Sequence, residues 1–120
     1  LQQAVTKYQA LFGLNDFEFL EHPHRPVKTA RVKIGETWLV LLQPLDDESA
    51  PAKHLNKHGE GFFLISFKVD DIDIALERLE KNGGSLRDKQ PRPGISNWQV
   101  ADLEPKTTFG ALIQLIEEKD

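Results

Sequence analysis

Residues 62–84, FFLISFKVDDIDIALERLEKNGG, contain a strand signal followed directly by a helix signal. The apolar run Phe62–Val69 has the length and composition of a β-strand. Asp70 and Asp71 mark the start of a helix, because an aspartate at this position accepts a hydrogen bond from an unpaired backbone N–H group. The helix is expected to end at Asn82-Gly83-Gly84. Its apolar face has helical spacing and consists of Ile72, Ala75, Leu76 and Leu79.

The same helix signal occurs earlier in the chain, in residues 4–13. Ala4-Val5, Tyr8 and Gly13 match Ala75-Leu76, Leu79 and Gly84 at one constant offset, and residues 38–42 match residues 112–116 at nearly the same offset. Strand signals follow each helix: 17–21, 27–34 and 38–42 after the first, and 85–87, 97–103 and 111–117 after the second. Such a module cannot cover both faces of its own sheet, so two copies are expected to pack together.

We therefore predict an α+β fold of two βαβββ modules forming a mixed sheet around a cavity. Residues 1–45 form module one, 46–60 a connector with a short helix at most, and 61–120 module two. The first module lacks its opening strand, which would add about 10 residues before Leu1. A strand swapped from a partner is the alternative.

Several local features refine this prediction. Residues 27–34 alternate, with Ala30, Val32 and Ile34 on one side and Thr29, Arg31 and Lys33 on the other. Residues 38–42 are apolar on both faces, which predicts a strand covered on each side. The proline-containing segments 22–26 and 90–94 are expected to be loops.

Composition narrows the class of partner. The chain has 19 acidic and 15 basic residues and a net charge of −4, which argues against a broad basic surface for nucleic acid or anionic lipid. No apolar run approaches the ~20 residues that span a bilayer, and no signal peptide is evident. The absence of cysteine removes disulfides, thiolate metal sites and a cysteine nucleophile, and it fits a cytoplasmic protein.

The order and spacing of these segments resemble the vicinal oxygen chelate superfamily, which includes glyoxalases, bleomycin-resistance proteins and extradiol dioxygenases. The methylmalonyl-CoA epimerase branch is the most similar. The resemblance rests on segments that cover nearly the whole chain: AVTKYQALFGL (4–14), GETWLVLLQPL (35–45), LNKHGEGFFLISFKV (55–69), 70–79, 91–94 and 104–118. It implies paired βαβββ modules in a U-shaped sheet around a cavity, a homodimer, and one divalent metal held by four side chains.

Three of those four metal positions lie within this chain, and they carry residues that fit a metal poorly. The family's I-E-L-L-x-P strand places Val40 at the second position, and its G-L-H-H-I-A-F run places Leu64 at the third. The final L-I-E-L strand places Gln114 at the fourth. Val40 and Leu64 offer no donor atom, and the Gln114 amide brings no negative charge. The resemblance therefore implies a site without a metal cofactor.

We predict that the protein binds a small organic molecule in an apolar cavity. The candidate ligand-binding residues are Arg31, Trp38, Val40, Phe62, Leu64, Ser66 and Gln114. Arg31 would receive a carboxylate or phosphate, and Ser66 with Gln114 would supply fixed polar contacts in a mostly apolar site. One alternative is a divergent metal-dependent epimerase or lyase of the same superfamily. The other is a structural or interaction module without a ligand.

Other polar clusters have simpler interpretations. His54 and His58 have metal-ligand spacing on a helix, but the lysines around them favour a solvated connector. His22 and His24 are interpreted as loop residues. Asp70-Asp71 is explained by helix capping, and Glu117-Glu118 by a frayed terminus.

Overall fold

The computed structural model describes residues 1–94 and 97–119 and divides into two compact units, Leu1–Gly61 and Phe62–Asp120. The first unit contains α1 (Gln2–Phe12), β1 (Glu18–Glu21), β2 (Val27–Ile34), β3 (Thr37–Pro44) and α2 (Ala50–His58). The second contains β4 (Ile65–Lys68), α3 (Ile72–Lys81), β5 (Arg92–Pro93), β6 (Gln99–Asp102), a 3₁₀ turn (Pro105–Thr108) and β7 (Ile113–Glu117).

The two units share one internal arrangement, a helix followed by an antiparallel three-stranded meander. The strand order is β1-β2-β3 in the first unit and β4-β7-β6-β5 in the second, where β4 runs parallel to β7. The second sheet is therefore mixed, and the predicted α+β fold is confirmed. None of the helices in the described ranges has the length and apolar composition that crossing a bilayer requires.

The helix boundaries follow local sequence signals, of which those at Gly13 and Asp71 were predicted and the one at Ser49 was not. Gly13 ends α1 in the left-handed conformation, with φ 64°. The Ser49 hydroxyl accepts a hydrogen bond from the Ala52 N–H at the start of α2, and the Asp71 carboxylate accepts one from the Ile74 N–H at the start of α3. Each of these three helix termini is therefore determined by a residue directly adjacent to the helix.

Strand boundaries differ more from the predictions. The run Phe62–Val69 forms a strand only at Ile65–Lys68, because pairing with β7 begins at Ile65↔Ile113. The second-unit strands predicted at 97–103 and 111–117 shorten to β6 and β7 for the same reason, and the one at 85–87 is a single bridge between Leu86 and Leu103. The predicted loop 90–94 contains β5, whose Arg92 pairs with Val100.

The prediction that the strand at 38–42 is covered on both faces was wrong. No residue of β3 is buried, and Val40 is 39% exposed. β3 is an edge strand of the sheet in the first unit and pairs with β2 alone. Its apolar side chains therefore have strand neighbours on one side of β3 only.

The polar side of β2 also differs from the prediction at one residue. Thr29 is 1% exposed, and its Oγ1 lies 2.9 Å from His22 Nε2. On the opposite side, Ala30 and Val32 are buried as predicted, whereas Ile34 is 47% exposed. Thr29 can be buried because a histidine of the preceding loop forms a hydrogen bond with its hydroxyl group.

The core of the second unit lies between α3 and one face of its sheet. The buried residues of this cluster are Ile72, Leu76, Leu86, Ala101, Leu103 and Leu115. Because side chains alternate along a strand, Asp102 and Gln114, the neighbours of Ala101 and Leu115, project from the other face. The opposite face therefore carries the polar residues Asp102 and Gln114 as well as the apolar pair Val100 and Ile116.

Candidate ligand-binding site

Five polar residues on the face of the second sheet opposite α3 form one connected group. We call this group the polar network; its members are Ser66, Asp88, Arg92, Asp102 and Gln114. Strand register aligns three of them across the sheet, because Ser66 pairs with Gln114 and Gln114 with Asp102. Directly paired residues place their side chains on the same face, so β4, β7 and β6 each contribute one polar group to this surface.

Gln114 is the centre of the polar network. Ser66 Oγ donates to Gln114 Oε1 at 3.0 Å, and Gln114 Nε2 donates to Asp102 Oδ1 at 3.0 Å. A carboxylate can only accept, so the amide nitrogen must face Asp102 and the amide oxygen must face Ser66. Ser66 and Gln114, both predicted from the sequence as candidate ligand contacts, are therefore in direct contact.

Arg92 links Asp102 to a second carboxylate. Arg92 Nη2 donates to Asp102 Oδ2 at 2.8 Å, and Arg92 Nε donates to Asp88 Oδ2 at 3.2 Å. Asp88 Oδ2 also accepts from the Asp102 backbone N–H at 2.8 Å. The two aspartate side chains are 22% and 21% exposed, so both carboxylates are held in place while remaining accessible from one side.

Sequence reasoning missed Asp88, Arg92 and Asp102. Arg92 lay in a segment expected to be a loop, and Asp102 in a strand considered only for its apolar residues. One signal was available: Asp102 is a charged residue between Ala101 and Leu103, which are both buried. A single charge in an apolar alternation marks the polar face of a strand.

The remaining candidates of the second unit precede β4. Phe62 is 89% exposed, and Leu64 is half-buried. Neither is part of a strand, because regular pairing starts at Ile65.

The three candidates of the first unit share one face of its sheet. Arg31 pairs with Val40, and Lys33 pairs with Trp38, so all four side chains project to the same side. The Arg31 guanidinium carbon lies 4.3 Å from the centre of the Trp38 ring, within the range of a cation–π contact. Arg31 Nε also donates to Glu18 Oε2 at 3.0 Å, so one side of the guanidinium is already neutralised by a carboxylate.

A pocket of about 410 Å³ lies beside this face, bordered by residues 13–16, Glu18, Val32, Lys33 and Trp38. Its lining contains two acidic side chains, Asp16 and Glu18, and one lysine. Arg31 is not part of the lining, so the pocket and the predicted anion-binding role of Arg31 do not coincide.

His22 lies in the loop between β1 and β2, where its ring contacts Thr29. Burial lowers the pKa of His22 below 6.5, and the nearby Arg25 cation lowers it further. The neutral imidazole is therefore favoured at this position.

Glu117 was wrongly assigned to a frayed terminus. It is the last residue of β7, it is buried, and its Oε1 accepts from the Ile72 N–H at 2.9 Å. The hydrogen bond from Lys119 and that from the Ile72 N–H lower the pKa of Glu117. This carboxylate thus binds the N-terminus of α3 and has a structural role on the core face.

Within residues 1–94 and 97–119, no group of three or more histidine, cysteine, aspartate or glutamate side chains is positioned to hold a metal ion. The His54 and His58 rings lie 4.6 Å apart on α2, as their spacing predicted. No third histidine, cysteine, aspartate or glutamate of the described residues joins this pair in a group that could hold a metal ion.

These observations define a class: an α+β protein with repeated helix-and-meander units and a hydrogen-bonded polar face on its mixed sheet. The sequence pattern of the Glyoxalase/Bleomycin resistance protein/Dioxygenase superfamily matches residues 1–101. The chain belongs to this superfamily, as the resemblance in its sequence indicated.

Several known proteins are similar to this chain over nearly its whole length. The mitochondrial methylmalonyl-CoA epimerase of Dictyostelium discoideum is 32% identical over 120 residues, which are 99% of this chain and 72% of that protein. A hypothetical protein from Bacillus halodurans C-125 has a structure with a TM-score of 0.93 and 32% identity, covering 100% of this chain and 87% of that one. A methylmalonyl-CoA epimerase solved with methylmalonyl-CoA and NH₄⁺ has a TM-score of 0.88 and 30% identity, covering 98% and 86%.

Proposed function

We propose that this protein binds a small organic ligand without a catalytic metal, and that the polar network is part of the binding site. One observation carries the proposal: Gln114, at the fourth metal position of the family pattern, is held between Ser66 and Asp102 by hydrogen bonds at both ends of its amide. A side chain fixed in this way is preorganised for a hydrogen-bonding ligand.

The donor set supports the metal-free part of this proposal. Val40 and Leu64 have hydrocarbon side chains, and the Gln114 amide oxygen already accepts from Ser66. A divalent cation prefers several oxygen or nitrogen donors, usually with negative charge among them. The residues at these family positions therefore do not fit the family's metal, and no catalytic step is assigned to one.

Metal analysis tests this part directly. Protein purified without chelator is expected to contain only substoichiometric Zn, Mn, Co and Ni. One tightly held ion per chain would overturn the metal-free proposal.

Ligand binding is tested by thermal unfolding against a panel of acyl-CoA thioesters, glutathione adducts, catechols and aromatic antibiotics. A compound that binds only the folded state at 100 times its Kd adds about 2.7 kcal/mol, which raises the Tm by on the order of 10 °C for a chain of this size. If no panel member raises the Tm, the alternative of a structural or interaction module replaces this proposal.

A second candidate is a divergent metal-dependent epimerase, and the similarity to methylmalonyl-CoA epimerases favours it. It predicts that added Co²⁺ or Mn²⁺ enables deuterium uptake from D₂O at the carbon between the two carbonyl groups of methylmalonyl-CoA. The binding proposal predicts no uptake with or without metal, so this measurement separates the two functions.

We also propose a homodimer in the cytoplasm. Apolar side chains are exposed around β4 and the turn before β7: Phe62 at 89%, Phe67 at 53% and Phe109 at 101%. Exposed aromatic groups of this kind favour a protein–protein contact. Light scattering after size exclusion should give twice the chain mass, and a monomer at all concentrations would contradict the dimer. Recovery in the cytosolic fraction of the native host would test the location.

A further inference from the structure

We propose that the polar network recognises a hydrogen-bond-donating group of the ligand, an amine or a hydroxyl, in preference to a carboxylate or phosphate. This inference rests on the proposed ligand-binding function and adds the chemical class of the group that is bound. It follows from the direction of each hydrogen bond in the network and from the network's charge.

The directions of the hydrogen bonds fix which atoms remain available. Because Gln114 Oε1 faces Ser66, the Ser66 hydroxyl must donate its only proton there. Ser66 Oγ then offers only lone pairs to a ligand, and Ser66 is an exposed residue. Gln114 Oε1 retains a second lone pair beside it. Two neighbouring oxygens are thus acceptors for one incoming donor.

Asp102 adds further acceptor capacity on the same face. Its Oδ1 accepts from Gln114 and its Oδ2 from Arg92. An ionised carboxylate has about four acceptor positions, so about two remain unused. Unused acceptor positions therefore lie on Ser66 Oγ, Gln114 Oε1 and the Asp102 carboxylate, across three strands. The unused donors of the network are the second N–H of Gln114 Nε2 and the remaining N–H groups of Arg92, whose positive charge is already shared by two carboxylates.

The charge of the polar network points to the same ligand chemistry. Two carboxylates, Asp88 and Asp102, share the single guanidinium of Arg92, which leaves one negative charge. Lys68, two residues after Ser66 on β4, lies 3.2 Å from Glu118 and is neutralised by it. This net charge would repel a ligand carboxylate and attract an ammonium group, whereas a neutral hydroxyl would interact only by donating a hydrogen bond to an unused acceptor.

The test uses three fragments that share a benzyl or phenyl ring and differ in one polar group: benzylamine, benzyl alcohol and benzoate. Each is titrated into ¹⁵N-labelled protein, and chemical shifts of backbone amides and of the Gln114 side-chain NH₂ are followed. Benzylamine and benzyl alcohol are expected to shift Ser66, Asp102 and Gln114. Benzylamine should bind at least about tenfold more tightly than benzoate, because its ammonium group makes a charge-assisted hydrogen bond that benzoate cannot make.

Two variants connect this preference to the network. Asp102→Asn should weaken benzylamine binding by about tenfold, and Ser66→Ala by about threefold, as expected for a charged and a neutral acceptor. Asp47→Asn is the control, because it removes one carboxylate at an exposed connector residue of the first unit. If Asp102→Asn loses its dispersed spectrum, Ser66→Ala, at an exposed position, carries the test.

Equal or tighter binding of benzoate would overturn the inference, as would benzylamine shifts confined to residues outside β4, β6 and β7. Absence of shifts with all three fragments would overturn it too. A panel compound that raises the Tm while benzoate is the preferred fragment leaves the binding function intact and refutes only the ligand class. A panel without any hit, together with unmoved network amides, refutes both.

Discussion

The side-chain amide of Gln114 donates to the Asp102 carboxylate at 3.0 Å, across the pair of residues that faces away from α3. This contact joins an uncharged residue at a family metal position to a carboxylate that the sequence pattern did not single out. It makes the chemistry of this face depend on Asp102 and its partners.

Arg92 is expected to be required for stability, because it is the cation shared by Asp88 and Asp102. Arg92→Gln should lower the free energy of unfolding by about 1–2 kcal/mol, since the Arg92 side chain is 39% exposed and water screens part of the interaction. Urea denaturation measures the change. Arg87→Gln, at an exposed position nearby, should have an effect within about 0.5 kcal/mol. Equal effects of the two substitutions would contradict this role of Arg92.

Gly94 is expected to tolerate no side chain. A Cβ atom at this position would lie 2.6 Å from Val100 Cγ1, and Val100 is buried in β6. Gly94→Ala should therefore destabilise the protein by about 1–3 kcal/mol through overpacking. The double variant Gly94→Ala/Val100→Ala should recover part of that loss relative to Val100→Ala alone. Strict additivity in denaturation experiments would show that the two positions do not touch.

His22 is expected to make stability depend on pH near neutrality. Burial lowers the pKa of His22 in the folded state below 6.5, so the unfolded chain takes up a proton more readily. The stabilisation is thus present above pH 6.5 and is lost as the pH falls through that value towards the folded pKa. His22→Gln should have a shallower decline in unfolding free energy with acidification. An unchanged pH dependence of stability in His22→Gln would contradict this role of His22.

Metal affinity should be restorable by two substitutions in the second unit. Leu64→His with Gln114→Glu supplies the family's imidazole and carboxylate, and Asp102 adds a second carboxylate beside position 114. The double variant is expected to bind Co²⁺ measurably by calorimetry, since the donor set becomes that of a divalent site. Gln114→Glu alone should bind much more weakly. Identical Co²⁺ affinity of the double variant and the unchanged protein would contradict the assignment of these positions.

The helices were predicted well because their ends depend on neighbours in the chain. Gly13 and Asp71 were predicted from the sequence, and the first ends its helix while the second caps the start of its helix. The Ser49 cap of α2 was not predicted. Strand ends were predicted less well, because a strand extends only over the residues that pair with a neighbouring strand. The apolar residues Phe62–Leu64 satisfy every local criterion for a strand but precede the start of pairing with β7.

The candidate site shows the same division. Ser66 and Gln114 were both candidate ligand contacts from the sequence, but their hydrogen bond to each other was not predicted, because it depends on the pairing of β4 with β7. Arg92 could not be placed, because β5 is a two-residue strand that exists only through its pairing with β6. The role of Glu117 was misjudged because its hydrogen-bond partner, the N-terminus of α3, is 45 residues away in the chain.

The sequence by itself determined the family, the internal repeat, the helix ends and the absence of charged donors at Val40, Leu64 and Gln114, because spacing and residue chemistry are local properties. Only the tertiary structure decided that Asp88, Arg92 and Asp102 join Ser66 and Gln114. Hydrogen-bond partners on different strands are selected by register, and register is fixed by the burial of the opposite face against α3.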